Sequence, residues 1–431
     1  MSRCSTPWLL AAATALATLA SPSVLAQAAT GQTIAQGLER PWAVAFLPGG
    51  RFLVTEKPGR LRVIEPDGRI GAPVAGVPRV VDAGQGGLLD VITDSGFASN
   101  RTIYFCFSEA GGNGGNSTAL ARARLSPDNR SLQDVQVIFS QKPKVRSSLH
   151  FGCRIVERTV NGQPDGTLFL TLGDRYSQRH DAQRLGNHHG KVVRVGKDGS
   201  VPGDNPFVGR RDALPEIWSY GHRNPQGATL APDGRYWIHE HAAQGGDEIN
   251  LPLPGKNYGW PETSKGVDYG GAPIGTGKPS LPGVEEPLHF WNPSIAPSGM
   301  AFVTSDRYPG WKGNLMVGAL KFQYLARLEL KNGKVVAEHK LLDKVGHRMR
   351  DVKQGPDGWL YVVTDNRDGK LIRVRQYNPA SACKRRPSGA FGHRIGAISS
   401  GSRCSGDGGR WPRSGLRAGS GLLPRPPPAV R

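Results

Sequence analysis

Cationic or imidazole side chains recur at comparable points along this chain: His150, Arg223, Lys321, Arg348 and Arg350. His150 lies in Leu149-His150-Phe151-Gly152, Arg223 in Tyr220-Gly221-His222-Arg223-Asn224-Pro225-Gln226-Gly227, and the last two in Arg348-Met349-Arg350-Asp351-Val352. Taken singly, each has a plain structural reading, since a loop histidine is most often a hydrogen-bonding fixture and a rim arginine a solvated charge. Recurrence in successive repeats changes that reading. Cations that converge on one axis repel one another unless they meet an anion, and arginine and lysine suit carboxylates or phosphates. No Gly-rich loop opening onto a helix is present, so a nucleotide is not indicated. The chemistry expected is capture of a rigid polycarboxylate.

The elements that must hold these residues announce themselves through one repeated phrase. An apolar residue is followed by Pro-Asp-Gly or Pro-Gly-Gly and then an apolar strand that often closes on Thr. The phrase occurs at Pro48-Gly49-Gly50, Pro164-Asp165-Gly166, Pro232-Asp233-Gly234 and Pro356-Asp357-Gly358. Proline presets φ and glycine supplies positive φ, so each copy reads as a hairpin turn feeding a strand. Weaker copies at Asp94-Ser95-Gly96 and Ser305-Asp306 fill the two long gaps. About six units of roughly 45–75 residues predict an all-β, six-bladed β-propeller of four-stranded antiparallel blades. In such a ring the loops entering the innermost strands line one mouth, where the recurrent cations fall. The blade pattern ends at Lys370-Leu371-Ile372-Arg373-Val374, and ring closure is expected to use an N-terminal strand beginning near Thr33.

Residues 1–26 carry Arg3, an apolar run from Pro7 to Ala20 and a compact Val24-Leu25-Ala26, the pattern of a secretory signal peptide. No later stretch is long and apolar enough to cross a membrane. The reading is residues 1–26 signal, 27–376 propeller and 377–431 tail, in a periplasmic or secreted protein. Cys106 and Cys153 are the two cysteines of the body, and two buried free thiols are expected there rather than a disulfide. The formal charge of +20 suggests nucleic acid, but its distribution argues otherwise. Between Tyr377 and Arg431 ten Lys or Arg face the single acid Asp407, in a Gly-, Ser- and Pro-rich stretch without strand pattern. Such a segment buries too little apolar surface to offset its ordering entropy, and reads as a solvated, disordered basic extension.

Six ordered blocks carry a more specific signal. They are Gly84-Gln85-Gly86-Gly87-Leu88-Leu89, Leu149-His150-Phe151-Gly152 with Arg154, Tyr220 to Gly227, Gly245-Gly246-Asp247-Glu248-Ile249-Asn250 with Asn257-Tyr258-Gly259-Trp260-Pro261, Pro293 to Gly299, and Arg348 to Val352. From about Gly37 to Val374 the chain resembles the soluble aldose sugar dehydrogenases that use pyrroloquinoline quinone (PQQ), relatives of soluble glucose dehydrogenase. The resemblance implies oxidation of the C1 hydroxyl of aldoses to lactones by hydride transfer to PQQ, a flat quinone with three carboxylates. It implies His150 as the general base, a role that suits an imidazole titrating near the working pH. Asp174 would orient that base, and Gln85 would touch cofactor or sugar. Arg223 and Asn224 would polarise the reactive quinone oxygens. Lys321, Arg348 and Arg350 would clamp the carboxylates, with Tyr269 near the ring plane and Ala319 among the cofactor contacts.

The resemblance also implies calcium, a hard cation that takes carboxylate and carbonyl oxygens. Glu248 would give a side-chain oxygen and Tyr258 a backbone one. A second ion, present in some relatives, would use carbonyls of the loop His241-Ala242-Ala243-Gln244, where many relatives carry Gly or Pro. Turnover would require aldose sugars and an external electron acceptor, with no nucleic acid, in a monomer or homodimer. Two other readings compete. A calcium-dependent propeller lactonase or hydrolase would line the channel with carboxylates, whereas this chain places Arg and Lys there. A non-catalytic binding propeller would lack the His base and the Arg pair, and this sequence has both.

Overall fold

Each blade starts at the axis and works outward, because each inner strand is joined to its antiparallel neighbour by a connection of at most about a dozen residues. These connections run from the two-residue turn after Val160 to the loop between Phe302 and Leu315, too short for a crossover to another blade. The computed structural model describes residues 28–376, which form six four-stranded antiparallel sheets. The inner strands are Pro41–Leu47, Leu88–Thr93, Gly152–Val160, Pro225–Leu230, Pro297–Phe302 and Met349–Gln354, and they contact one another in a closed ring. The apolar strands that follow the repeated phrase are the second strands, for example Arg51–Glu56, Tyr236–Glu240 and Leu360–Thr364. The sixth blade joins Met349–Gln354, Leu360–Thr364 and Gly369–Gln376 to the N-terminal strand Ala29–Leu38, registered from Ala29 opposite Gln376 to Leu38 opposite Gly369. Ring closure by the N-terminal strand is as expected, with the strand starting four residues earlier. The signal and tail readings lie outside the described residues.

Apolar side chains of the two middle strands seal the blades against each other. Phe169 and Tyr236 stack at 4.3 Å across blades three and four, and Phe52 meets Tyr361 at 4.9 Å across blades one and six. Each such aromatic, fully buried, contributes roughly 1.5–3 kcal/mol. These wedges hold the ring rigid, so the loops at its mouth are carried on a fixed frame.

Two expectations are corrected. Pro164-Asp165-Gly166 is not a hairpin turn. It lies within the strand Gln163–Leu172 at a register shift, and the turn is made by Asn161 and Gly162 at φ 52° and 76°. Asn-Gly is the stronger two-residue turn because both positions tolerate positive φ. Cys106 and Cys153 are not free thiols but a disulfide with Cα atoms 5.8 Å apart. It ties the second strand of blade two to the inner strand of blade three, a proximity set by inter-blade packing.

Candidate active site

His150 enters the mouth on a distorted stretch: φ is 51° at His150, 66° at Gly152 and 79° at Cys153. The stretch is locked from several sides. Gln85 Oε1 accepts the His150 amide at 2.8 Å, and Asn224 Oδ1 accepts the Gly152 amide at 3.2 Å. Gly173 is required beneath it, since a Cβ there would stand 2.1 Å from the His150 carbonyl oxygen. The imidazole is buried, and its Nδ1 lies 2.6 Å from Asp174 Oδ1. Asp174 is fixed in turn by the Trp260 indole N–H at 2.7 Å and the Tyr176 amide at 2.8 Å. Burial lowers the proton affinity of His150, outweighing the carboxylate, and Arg223 and Arg175 act in the same direction. The result is an oriented neutral imidazole whose Nε2 is left available to a substrate.

Beside it a cavity of about 370 Å³ is lined by His150, Tyr176, Arg179, Arg223, Trp260 and Asp268, among others. Arg223 is buried, and one guanidinium nitrogen donates to the carbonyls of His241 at 3.0 Å and Ala242 at 2.7 Å. Those are carbonyls of the loop expected to hold a second ion. The guanidinium packs over Trp260 at 5.2 Å and reaches the Tyr269 hydroxyl at 3.4 Å, while its Nε is buried without a partner. Tyr269 itself is largely exposed.

A second cavity of about 270 Å³ at the mouth is lined by Lys57, Gln85, Asn224, Arg348, Arg350 and Asp365, among others. Three cations face one acid. Arg350 is buried and bonds Asp365 at 2.8 Å and Gln226 at 3.1 Å, with its Nε unpartnered. Burial works against the Asp365 charge, but Arg350, Arg348 and Lys57 hold it below the usual carboxylate range. Burial and Arg350 lower the proton affinity of Lys57. This excess of positive charge with idle donors suits an added polyanion.

Not every expected residue reaches these cavities. Lys321 is exposed with its ammonium over the Phe322 ring at 5.2 Å, and Ala319 is buried in the blade-five core. Leu320, between them, lines the second cavity instead. Lys57, Trp42 and Asp365 were not foreseen at the site. For Lys57 and Asp365 the signal is the end of a second strand, just past the closing Thr55 and Thr364, where Asp174 also stands past Thr171; Trp42 lies instead at the entry to the inner strand Pro41–Leu47.

An acidic site adjoins Arg223. Glu248 stands opposite Glu240 in paired strands, and Asn250 Nδ2 donates to both, at 3.0 and 3.2 Å. Burial, and then Glu240, push Glu248 well above the usual carboxylate range. A cavity of about 30 Å³ adjoins them, Tyr258 lies in its wall, and Asn250 Oδ1 is buried without a partner. No cluster of three or more His, Cys, Asp or Glu suited to a metal occurs among the described residues. The oxygen donors here are two carboxylates and an amide, the set a hard cation prefers.

Comparison with known proteins fits this arrangement. The profile described as Glucose / Sorbosone dehydrogenase matches residues 38–373. The chain belongs to the glucose/sorbosone dehydrogenase family. Among this family, it is 43% identical over 344 residues to Aldose sugar dehydrogenase YliI of Escherichia coli (strain K12), covering 79% of this chain and 91% of that one. A crystal structure of a glucose dehydrogenase superimposes with a TM-score of 0.78 at 47% identity, over 81% of this chain and 100% of the other. The PQQ-bound form of an aldose sugar dehydrogenase from Streptomyces coelicolor gives 0.68 at 27% identity, over 81% and 98%.

Proposed function

We propose that this protein oxidises the C1 hydroxyl of aldose sugars to the lactone with bound PQQ. The observation that carries the reading is the buried imidazole of His150, its proton affinity lowered by burial and its Nδ1 held by Asp174, opening on one cavity beside a second with surplus cations. When bound, the quinone supplies the hydride acceptor. Arg348, Arg350 and Lys57 would hold its carboxylates, and Arg223, Asn224 and Gln85 its polar edge. The residues of the chain do the remaining work. His150 Nε2 takes the anomeric hydroxyl proton as C1 loses hydride, and Asp174, bonded at Nδ1, stabilises the imidazolium that results. Arg223, with an unpartnered Nε, offers a hydrogen bond to negative charge as it develops. Trp260 and the Tyr176 amide keep Asp174 in place.

Calcium fits the acidic site. Glu248 and Glu240 would share the ion's charge, with Asn250 Oδ1 and the Tyr258 backbone completing an oxygen set; the ion supplies charge neutralisation at a buried carboxylate pair. The buried Cys106–Cys153 disulfide supports a periplasmic or extracellular site of action, and no helix among the described residues is long and apolar enough to cross a membrane.

The test is reconstitution of purified protein with PQQ and calcium, followed by dye reduction with a panel of aldoses. Activity that needs the quinone and ignores nicotinamide cofactors is the expected result. No aldose oxidation with quinone and calcium both present overturns the reading.

A further inference from the structure

Two consecutive non-glycine residues beyond Asp174 are left-handed, Arg175 at φ 59° and Tyr176 at φ 65°. This conformation is unfavourable for both, so the surroundings must impose it. They do so on both sides. Arg175 has no exposed surface, stacks over the Phe151 ring at 3.7 Å and donates to Asn116 and, at 2.6 Å, to the Ser147 carbonyl. The Tyr176 amide donates at 2.8 Å to Asp174 Oδ1, the same oxygen that holds His150 Nδ1 at 2.6 Å.

The turn thus delivers one side chain to the cavity. Tyr176 is 47% exposed and lines the cavity, and its ring stands edge-on to the imidazole at 5.3 Å and 79°. Exposed aromatics are common, but this one is held in an unfavourable backbone conformation by the carboxylate that orients the base. A change in the base's orientation and a change in this ring's position are therefore coupled through one oxygen.

We propose that Tyr176 is the platform on which the sugar ring stacks, and that it selects aldopyranoses with an uninterrupted C–H face. The proposal rests on the reading of His150 as the base acting on a sugar. A phenol face attracts axial C–H groups by dispersion and through its quadrupole. An axial hydroxyl turned toward it would be desolvated with no partner. Sugars whose hydroxyls are all equatorial meet the ring without that penalty, and an epimer with one axial hydroxyl on the stacked face does not.

The experiment compares glucose with allose and galactose, whose axial hydroxyls lie on opposite faces of the ring, in PQQ-loaded parent, Tyr176→Gly, Tyr176→Asn and Tyr176→Phe. Glycine and asparagine both tolerate positive φ, so these variants remove the ring while keeping the turn. The parent should favour glucose over at least one epimer in kcat/KM. In the Gly and Asn variants KM for glucose should rise about tenfold with kcat within about twofold, and the discrimination should collapse. Tyr176→Phe should restore both parent values. An unchanged KM and epimer ratio in both ring-less variants overturns the proposal while leaving the dehydrogenase reading intact. A fall in quinone affinity that accounts for their loss overturns it too, and absence of aldose oxidation by the parent overturns both readings.

Discussion

Replacing both Cys106 and Cys153 by Ala removes the covalent tie between blades two and three. The two residues are separated by 47 positions, and closing a loop of that size restrains the unfolded chain by about 4 kcal/mol on the chain-entropy scale. For a domain spanning residues 28–376, an unfolding entropy near 2.1 cal/mol/K per residue corresponds to about 0.7 kcal/mol per degree, so the melting midpoint should fall by about 5 °C. Function should suffer as well. Cys153 lies three residues beyond His150, the proposed base, in the left-handed stretch that also includes Gly152. A displacement of the base by about 1 Å can lower turnover by about a hundredfold, so turnover should drop while quinone affinity holds. Calorimetry measures the melting midpoint and the quinone affinity, steady-state kinetics the turnover, and non-reducing peptide mapping the Cys106–Cys153 link itself. Recovery of Cys106 and Cys153 as unlinked peptides from the parent, or a variant that melts within about a degree of it, would refute the reasoning.

His150→Ala should bind quinone like the parent but turn over about 10²–10⁴-fold more slowly. Because the base must be neutral and burial lowers its proton affinity, the acid limb of the parent's pH–activity profile should lie below pH 6.5; a limb at or above that value contradicts a buried neutral base. Arg350→Ala removes a buried donor set and should weaken quinone binding by about 1.5–3 kcal/mol in calorimetry, whereas Lys321→Ala, at an exposed position, should change it by less than about 1 kcal/mol. Calcium at a hundred times its Kd should stabilise the parent by about 2.7 kcal/mol in thermal melts, and Glu248→Gln should largely abolish that gain; an equal calcium shift in both proteins removes Glu248 from the site.

Much of this molecule was readable because its signals are local. A turn phrase and the strand after it are contiguous in the chain, so Pro48-Gly49-Gly50, Pro232-Asp233-Gly234 and Pro356-Asp357-Gly358 mark blades without knowledge of their neighbours. His150, Asp174 and Arg223 sit in loops whose blocks are equally contiguous, and the structure brings the three together. What stayed hidden depends on three-dimensional register. The pairing of Cys106 with Cys153 is decided by how two blades pack, and hydrophobic alternation within either strand is the same with or without it. Leu320 rather than Lys321 faces the second cavity because successive side chains beyond the strand Leu315–Ala319 diverge, and charge alone gives no phase. Lys57 stands at the exit of a second strand, Arg51–Glu56, and only the fold shows that these exits reach the same mouth as the entries to the inner strands.

Arg348, Arg350 and Asp365 belong to the blade whose fourth strand, Ala29–Leu38, comes from the opposite end of the chain. During synthesis that strand emerges first and has no partner until Gly369–Gln376 follows it. A growing polypeptide therefore carries five blades' worth of sequence before its ring can shut. Arg348 and Arg350 arrive only with that last blade, so a grip on any ligand that needs both arginines is completed late, when the first and last strands of the ring meet.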